Sequence, residues 1–382
     1  MRSTTRAAAG ALALAAAMGI GRFAYTALLP PTQAALGFDD RAAGAIASLN
    51  LLGYLAGALV ARVLRPPAQR VFALRAGLAA TAVATALLAW TTGLLGWGVL
   101  RTASGVASGL VFVLGSAAAL EPGDDGAPPR PGLLFAGVGA GIALSGVMAA
   151  ALSRSDWRVA WLVLAVAAAA LGAPAWRILA VTSARGGVAG PGAAPREGGA
   201  RASIALPRLA SAYFLEGLGY IVSGTFAVVA VQRTPGLEGL AAWTWALAGL
   251  AAIPSALAWT WLGGRTGLRA ALAIAFAVQA AGMALPSISA SAAAAIAGAV
   301  LFGGTFMGIT ALTMTAAREI APAAVARLIA SLTVLYGVGQ VIGPIVAGAI
   351  SRRAGDPRPA VLAAALAVGV GGAIVAWPPR RR

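Results

Sequence analysis

The sequence predicts an all-α membrane protein of twelve transmembrane helices, arranged as two pseudo-symmetric six-helix bundles. Three observations predict it. Apolar residues fill 60% of the 382 positions and charged residues only 10%, against roughly a quarter in a soluble domain. Twelve apolar stretches are each long enough to cross a bilayer, which takes ~20 residues per helix. Short glycine-containing patterns recur between the two halves, about 200 residues apart. A chain this apolar has too little polar surface for a soluble protein. It is also too hydrophobic for a disordered one.

In chain order the spans fall at roughly 8–29, 43–61, 72–93, 98–120, 132–152, 158–179, 208–230, 240–262, 268–286, 291–316, 328–350 and 360–377. At about 32 residues per helix and loop, no room is left for a separate soluble domain. The runs are continuously apolar, which suits helices; a transmembrane barrel would need alternating strands. Abundant Ala, Gly and Ser suit close helix packing in lipid. Arg2 and Arg6 ahead of an Ala-rich run resemble a signal peptide, but the apolar run continues to Leu29 and is read as the first span. Pro254 and Pro344 are expected to mark kinks.

The stretch 181–206 is rich in Gly, Pro and Arg and reads as a flexible cytoplasmic linker. It separates an N-terminal bundle, 1–180, from a C-terminal bundle, 207–382. With the N-terminus inside, nineteen arginines fall on inside segments and seven outside, and two lie within spans. This bias places both termini in the cytoplasm. All ten tryptophans lie within a few residues of a span end, where an indole suits the membrane interface. The net charge of +17 is therefore a topology signal and not a nucleic-acid footprint.

The residue types that are missing exclude much chemistry. There is no Cys and no His, and so no thiol nucleophile, His triad or His metal ligand. All 28 basic residues are arginine, which removes the lysine of a nucleotide-binding loop and any Schiff base. No metal or cofactor is expected.

The internal repeat is specific in its order. Gly19-Ile20-Gly21 matches Gly217-Leu218-Gly219, and Leu59-x-x-Arg62 matches Leu262-x-x-Arg265. Gly105 and Gly109 match Gly304 and Gly308, and Gly137-Val138-Gly139 matches Gly337-Val338-Gly339. Parallel six-span repeats are the plan of major facilitator transporters, in which one half rocks against the other around a midplane site.

The longer motifs resemble one family. They are Gly19-Ile20-Gly21-Arg22-Phe23-Ala24-Tyr25-Thr26 with Leu29-Pro30, and Asn50 with Leu52-Gly53-Tyr54-Leu55-x-Gly57. To these add Gly137 to Gly146, Glu216 to Phe226, Phe302 to Leu312, and Gly337-x-Gly339-Gln340-x-x-Gly343-Pro344. Together they resemble the YbfB/YjiJ-like major facilitator superfamily (MFS) proteins over essentially the whole chain. The resemblance implies a bacterial inner-membrane transporter. It also exposes departures from the superfamily. Ala61 and Gly264 stand where the loops after spans 2 and 8 usually carry an aspartate, so the usual charge lock is in doubt. Arg101-x-x-x-Gly105-x-x-x-Gly109 does match the span-4 motif, whereas the span-5 antiporter proline is absent.

With arginines at or near span ends counted with the flanking segments, three charged residues are taken to lie inside the predicted spans: Arg22, Arg101 and Glu216. A charge at the bilayer centre costs at least ~2.5–3.5 kcal/mol on insertion scales, so it faces a cavity or a partner. Arg22 lies about seven residues from the outer end of span 1, roughly 10 Å at ~1.5 Å per residue. It is a substrate-binding candidate, with snorkelling to the outer surface or a fixed ion pair as the alternatives. Glu216 is the only acid in any span and so the leading proton-coupling candidate. The competing reading is a permanent salt bridge to Arg22 or Arg101. For Arg101, at the start of span 4, resemblance to the span-4 motif implies a part in coupling, with helix-end snorkelling as the equal alternative. Tyr25, Asn50, Tyr54, Tyr220, Thr225, Thr305, Thr310 and Gln340 are candidate lining residues, although such groups often serve only as interhelical hydrogen-bond makers.

The leading reading is a secondary transporter, not an enzyme. It moves a small organic solute by alternating access, with proton coupling, as a monomer in the bacterial inner membrane. Its partners are the solute and the lipid bilayer, with no nucleic acid. The Arg and Glu residues favour an amphipathic or anionic solute. A non-transporting sensor or assembly protein is the alternative. An intramembrane enzyme is disfavoured because a single buried acid is too few.

Overall fold

The computed structural model describes residues 3–64, 66–120, 130–185, 204–321 and 325–377. Twelve helical units in it are long and apolar enough to cross a membrane, and the described residues contain no strand. The first unit is composite. α1 (Ser3–Leu14) runs into a π-helical segment (Ala15–Ile20), and after a break at 21–23 the chain resumes as α2 (Ala24–Leu36). The other units of the N-terminal half are α3 (Asp40–Val63), α4 (Pro67–Leu88), α5 (Leu94–Ala119), α6 (Pro131–Ala151) and α7 (Trp157–Arg185). The second half comprises α8 (Leu206–Gln232), α9 (Ala241–Thr266), α10 (Leu268–Ile288), α11 (Ala292–Ile320), α12 (Val325–Ala354) and α13 (Arg358–Ala376). Most of the expected linker, with Arg196 and Arg201, lies outside the described residues, as do Arg2, Arg65 and Arg380 to Arg382. α7 itself continues to Arg185, beyond the expected end of its span.

The first span departs furthest from expectation. It covers Ser3–Leu36, not 8–29. Pro30 and Pro31 do not end it, because they sit inside α2. Membrane helices tolerate proline when neighbours satisfy the freed backbone groups. Pro254 and Pro344 also lie inside helices, α9 and α12, that run on without a break. The interruption comes instead where Gly19-Ile20-Gly21-Arg22 passes between packed neighbours. The Gly21 and Phe23 N–H groups donate to the Ala16 and Met18 carbonyls, five residues back. This is a π-bulge pattern, of the kind that recurs at functional sites.

Glycine sets the contacts within and between the halves. α6 carries glycines on two faces. A Cβ on Gly141 would strike the Ala15 and Gly19 backbones in its own half, and one on Gly139 would lie 2.7 Å from the Gly249 carbonyl of α9. α12 mirrors this, with Gly339 and Gly343 against α8 and Pro344 and Gly348 against α3. In α11 the close approach to α9 falls on Gly303 and Gly308, while at Gly304, paired with Gly105 in the repeat, a Cβ would meet only the Ala251 Cβ, at 4.0 Å.

The tryptophans divide. Trp90, Trp243, Trp261 and Trp377 are exposed, as interfacial residues should be, but Trp97, Trp161 and Trp245 are buried. Trp97 and Trp161 pack edge to face at 5.5 Å, and their N–H groups donate to the Thr91 carbonyl and to Thr32. For these three, proximity to a span end reflects core packing.

The end of the bundle beside the α2–α3 loop is latched across the halves. Arg233, which follows α8, donates through both guanidinium nitrogens to the two Asp40 oxygens at 2.7 Å. Gln33 supports Asp40 at 3.0 Å. Asp39 caps α3 through the Ala42 N–H and pairs with Arg352 of α12 at 3.3 Å. Where the superfamily lock was in doubt, Ala61 is fully buried, and Arg265 stacks on Trp261, 3.8 Å from the ring centroid.

Candidate functional site

The break in the first span creates the site. Its Gly21 and Arg22 carbonyls receive side-chain donors from α5. Arg101 Nη1 reaches the Gly21 carbonyl at 2.8 Å and Nη2 the Arg22 carbonyl at 3.0 Å, and Ser104 adds a bond to Gly21 at 2.8 Å. Asn50 of α3 in turn donates to the Arg101 carbonyl at 2.8 Å. The Arg101 guanidinium lies 4.8 Å from the centroid of the Tyr25 ring, and the Tyr25 hydroxyl donates to the Ala43 carbonyl. Arg101, Ser104, Asn50 and Tyr25 thus hold the broken helix in place.

Arg22 projects from that break toward the other half. It is buried and stands fourteen residues from Leu36, roughly 21 Å at ~1.5 Å per residue. This is twice the depth expected from the sequence and close to the middle of Ser3–Leu36. Snorkelling is therefore excluded. The guanidinium sits 4.8 Å from the Tyr54 ring and 4.9 Å from the Phe23 ring. It donates to the Tyr220 hydroxyl of α8 at 3.0 Å and to Gln340 Oε1 of α12 at 2.5 Å. Thr26 bonds across the same seam to the Gly224 carbonyl. Of the expected lining residues, Arg22, Tyr54, Tyr220 and Gln340 come together here.

Behind Tyr220 lies a ladder of aromatic rings. Tyr213 and Tyr336 stack at 4.4 Å, Tyr336 and Tyr220 at 5.5 Å, Tyr220 and Phe306 at 5.9 Å, and Phe306 and Phe302 at 5.8 Å. Trp245 of α9 joins Phe302 at 6.4 Å and Phe23 at 6.3 Å, and its buried N–H has no partner. Apart from Tyr220, the sequence does not mark these rings as site residues: Phe23, Phe302 and Phe306 lie within the family-like motifs without standing out from other apolar residues, and Trp245 lies near a span end, where an indole suits the interface.

Of the remaining candidates, Thr310 hydrogen-bonds Tyr213 at the end of the ring ladder, and the others point elsewhere. The Thr225, Thr305 and Thr310 hydroxyls bond to carbonyls of their own helices. Glu216 is buried and pairs with neither arginine. Its Oε1 accepts from Gln279 of α10 at 2.7 Å, while its Oε2 and the Gln279 carbonyl oxygen have no partner. No cluster of potential metal ligands occurs among the described residues.

The fold is that of solved transporters. A crystal structure of the nucleoside transporter NupG matches with a TM-score of 0.74 at 14% identity, covering 98% of each chain. A bacterial homologue of the human lysosomal transporter Spinster, inward-facing and unoccupied, matches with a TM-score of 0.65 at 16% identity, covering 97% of this chain and 96% of that one. Among curated proteins none matches. A protein family described as "uncharacterised MFS-type transporter YbfB" matches residues 14–376, from the π-helical approach to Arg22 through to the last span, and the chain belongs to that family.

Proposed function

We propose that this MFS transporter moves a small organic anion across the bacterial inner membrane by alternating access, coupled to protons. One observation carries the reading. Arg22 and Arg101 are buried near the seam between the halves, and among the described residues neither has a carboxylate within ion-pairing distance. A buried charge without a counter-charge is costly. An anionic solute bound at Arg22 supplies one, and the flat faces of Tyr54, Tyr220 and Phe306 suit a solute with an apolar body. The Trp245 N–H provides a further donor.

The moving bodies in this reading are 1–180 and 207–382, joined by 181–206. The arginine bias supports cytoplasmic termini, which puts the Asp40–Arg233 latch on the outer side. Glu216 is the proton-binding group. Its unpartnered Oε2, buried beside the Gln279 amide, favours a carboxyl that changes protonation over one locked in a salt bridge. Arg101 contributes by holding the broken helix, so that Arg22 stays at depth.

Proteoliposome flux with a panel of organic anions tests the proposal. Uptake should fall to background in Arg22→Gln and survive in Arg22→Lys at reduced affinity. Glu216→Gln should retain exchange of solute across the membrane but lose uphill movement driven by a proton gradient. Undiminished transport by Arg22→Gln refutes the anion site, and uphill transport by Glu216→Gln refutes the coupling role.

A further inference from the structure

Arginine is scarce on the latched side of the protein. Three of the seven arginines that the sequence puts there, Arg41, Arg352 and Arg353, meet at one place. Arg41 lies in the first turn of α3 and the other two in the last turn of α12. Helices from opposite halves thus bring them to the rim of one cavity of about 750 Å³. This is within the ~300–1,000 Å³ range of ligand sites.

Below the rim the walls are apolar. Ala45, Leu49 and Leu52 line one side, and Val341, Ile345 and Ala349 the other. Leu49, Leu52 and Ile345 remain 37%, 49% and 50% exposed. From Arg41 to Leu52, and from Arg352 to Val341, each wall runs eleven residues, roughly 16 Å at ~1.5 Å per residue. That is the depth of one leaflet, half of a ~30 Å hydrocarbon core.

Most of the polar groups in the cavity are not spent on the protein. Arg352 pairs with Asp39, but Arg41 and Arg353 have no acidic partner among the described residues, so positive charge is in excess at the rim. Lower down, Ser48 lines the same cavity and is 4% exposed. Its hydroxyl has no partner, although serines in helices commonly bond back to their own backbone.

We propose that this groove holds one anionic phospholipid. Its phosphate sits at Arg41 and Arg353, the Ser48 hydroxyl donates to a glycerol ester carbonyl, and one acyl chain lies between α3 and α12. A soluble anion would use the rim and leave the apolar depth unfilled. A zwitterionic lipid would bring its own cation against the arginines. Because the walls belong to different halves, the bound lipid ties the latched end together. The site is separate from Arg22, and the proposal does not depend on the solute.

The full-length protein, purified in zwitterionic micelles, is titrated with phosphatidylglycerol, phosphatidylcholine or glycerol 1-phosphate. Thermal stability and native mass spectrometry provide the readouts. Phosphatidylglycerol should raise the unfolding temperature and remain bound at one copy per chain, and the other two should not. Arg41→Gln with Arg353→Gln should weaken its apparent affinity about thirtyfold by removing two surface cations. Ala349→Trp, which fills the groove but keeps the arginines, should abolish the bound copy. Equal effects of phosphatidylglycerol and phosphatidylcholine overturn the proposal. So does a shift by glycerol 1-phosphate as large as that by the lipid, or an unchanged bound copy in Ala349→Trp. Should the double variant fail to fold, the wild-type lipid comparison and Ala349→Trp decide the question.

Discussion

Arg101→Met and Ser104→Ala, made singly and together, test whether α5 holds the break in the first span. The Gly21 carbonyl accepts from both side chains, at 2.8 Å each, and the Arg22 carbonyl from Arg101 at 3.0 Å. Ser104→Ala leaves each carbonyl a donor and should cost about 1 kcal/mol, the net worth of an ordinary hydrogen bond. Arg101→Met keeps Gly21 bonded to Ser104 but strands the Arg22 carbonyl, at a cost of ~1–3 kcal/mol for an unsatisfied buried group. Removing a guanidinium that has no acidic partner offsets part of that loss. The double variant strands both carbonyls. It should exceed the sum of the single effects by ~1–2 kcal/mol, because only there does Gly21 lose its last donor. Denaturant unfolding in mixed micelles, followed by tryptophan fluorescence, gives the three values. Additivity within ~0.5 kcal/mol would refute the shared-acceptor arrangement.

Neighbouring glycines of α6 should give different phenotypes. Gly141→Val overpacks the N-terminal half and should lower stability by ~1–3 kcal/mol. Gly139→Val instead meets Gly249 across the halves, and should change transport rate more than unfolding in denaturant. Identical stability losses for the two would contradict this. Asp40→Asn should weaken the latch by about 1.4 kcal/mol, a tenfold change in population. The protein has no cysteine, so maleimide labelling of a single Val231→Cys reporter, buried beside the latch, should speed up about tenfold in that background; an unchanged rate refutes the latch. Trp245→Phe should leave stability within ~1 kcal/mol because it deletes an unpartnered N–H, yet weaken solute affinity in transport assays. Unaltered affinity would remove Trp245 from the site.

The spans were readable because a bilayer imposes a length on any apolar helix, and most ends agree within a few residues. The first span was not, because Pro30-Pro31 looks like a stop in a chain read locally. In a bundle, neighbouring helices take up the bonds that proline frees. That misreading halved the apparent depth of Arg22. Arg22, Tyr54, Tyr220 and Gln340 stand out as candidates by residue type, since polar groups within spans are few. Their convergence was not, because 318 residues separate Arg22 from Gln340. The latch was missed for the same reason. Asp40 and Arg233 read as loop charges, and only the pairing of the two halves brings them together. Hydroxyls misled in the other direction, since Thr225, Thr305 and Thr310 can satisfy themselves on their own backbone.

The paired glycine faces of α6 and α12 bear on how sharply the transporter's states are separated. Bulky side chains interlock as ridges and grooves, and such surfaces must unmesh before they move. Backbone against backbone offers no teeth. Sliding across the α6–α9 and α12–α3 seams should therefore meet a lower barrier than it would across interlocked side chains. The balance between states then rests on a few polar contacts at the ends and centre of the seam, such as Asp40–Arg233 and Arg22–Gln340. A balance so lightly weighted can be tipped by a solute whose differential affinity is only a few kcal/mol, and full reversal of a 1:99 population takes ~5.5 kcal/mol.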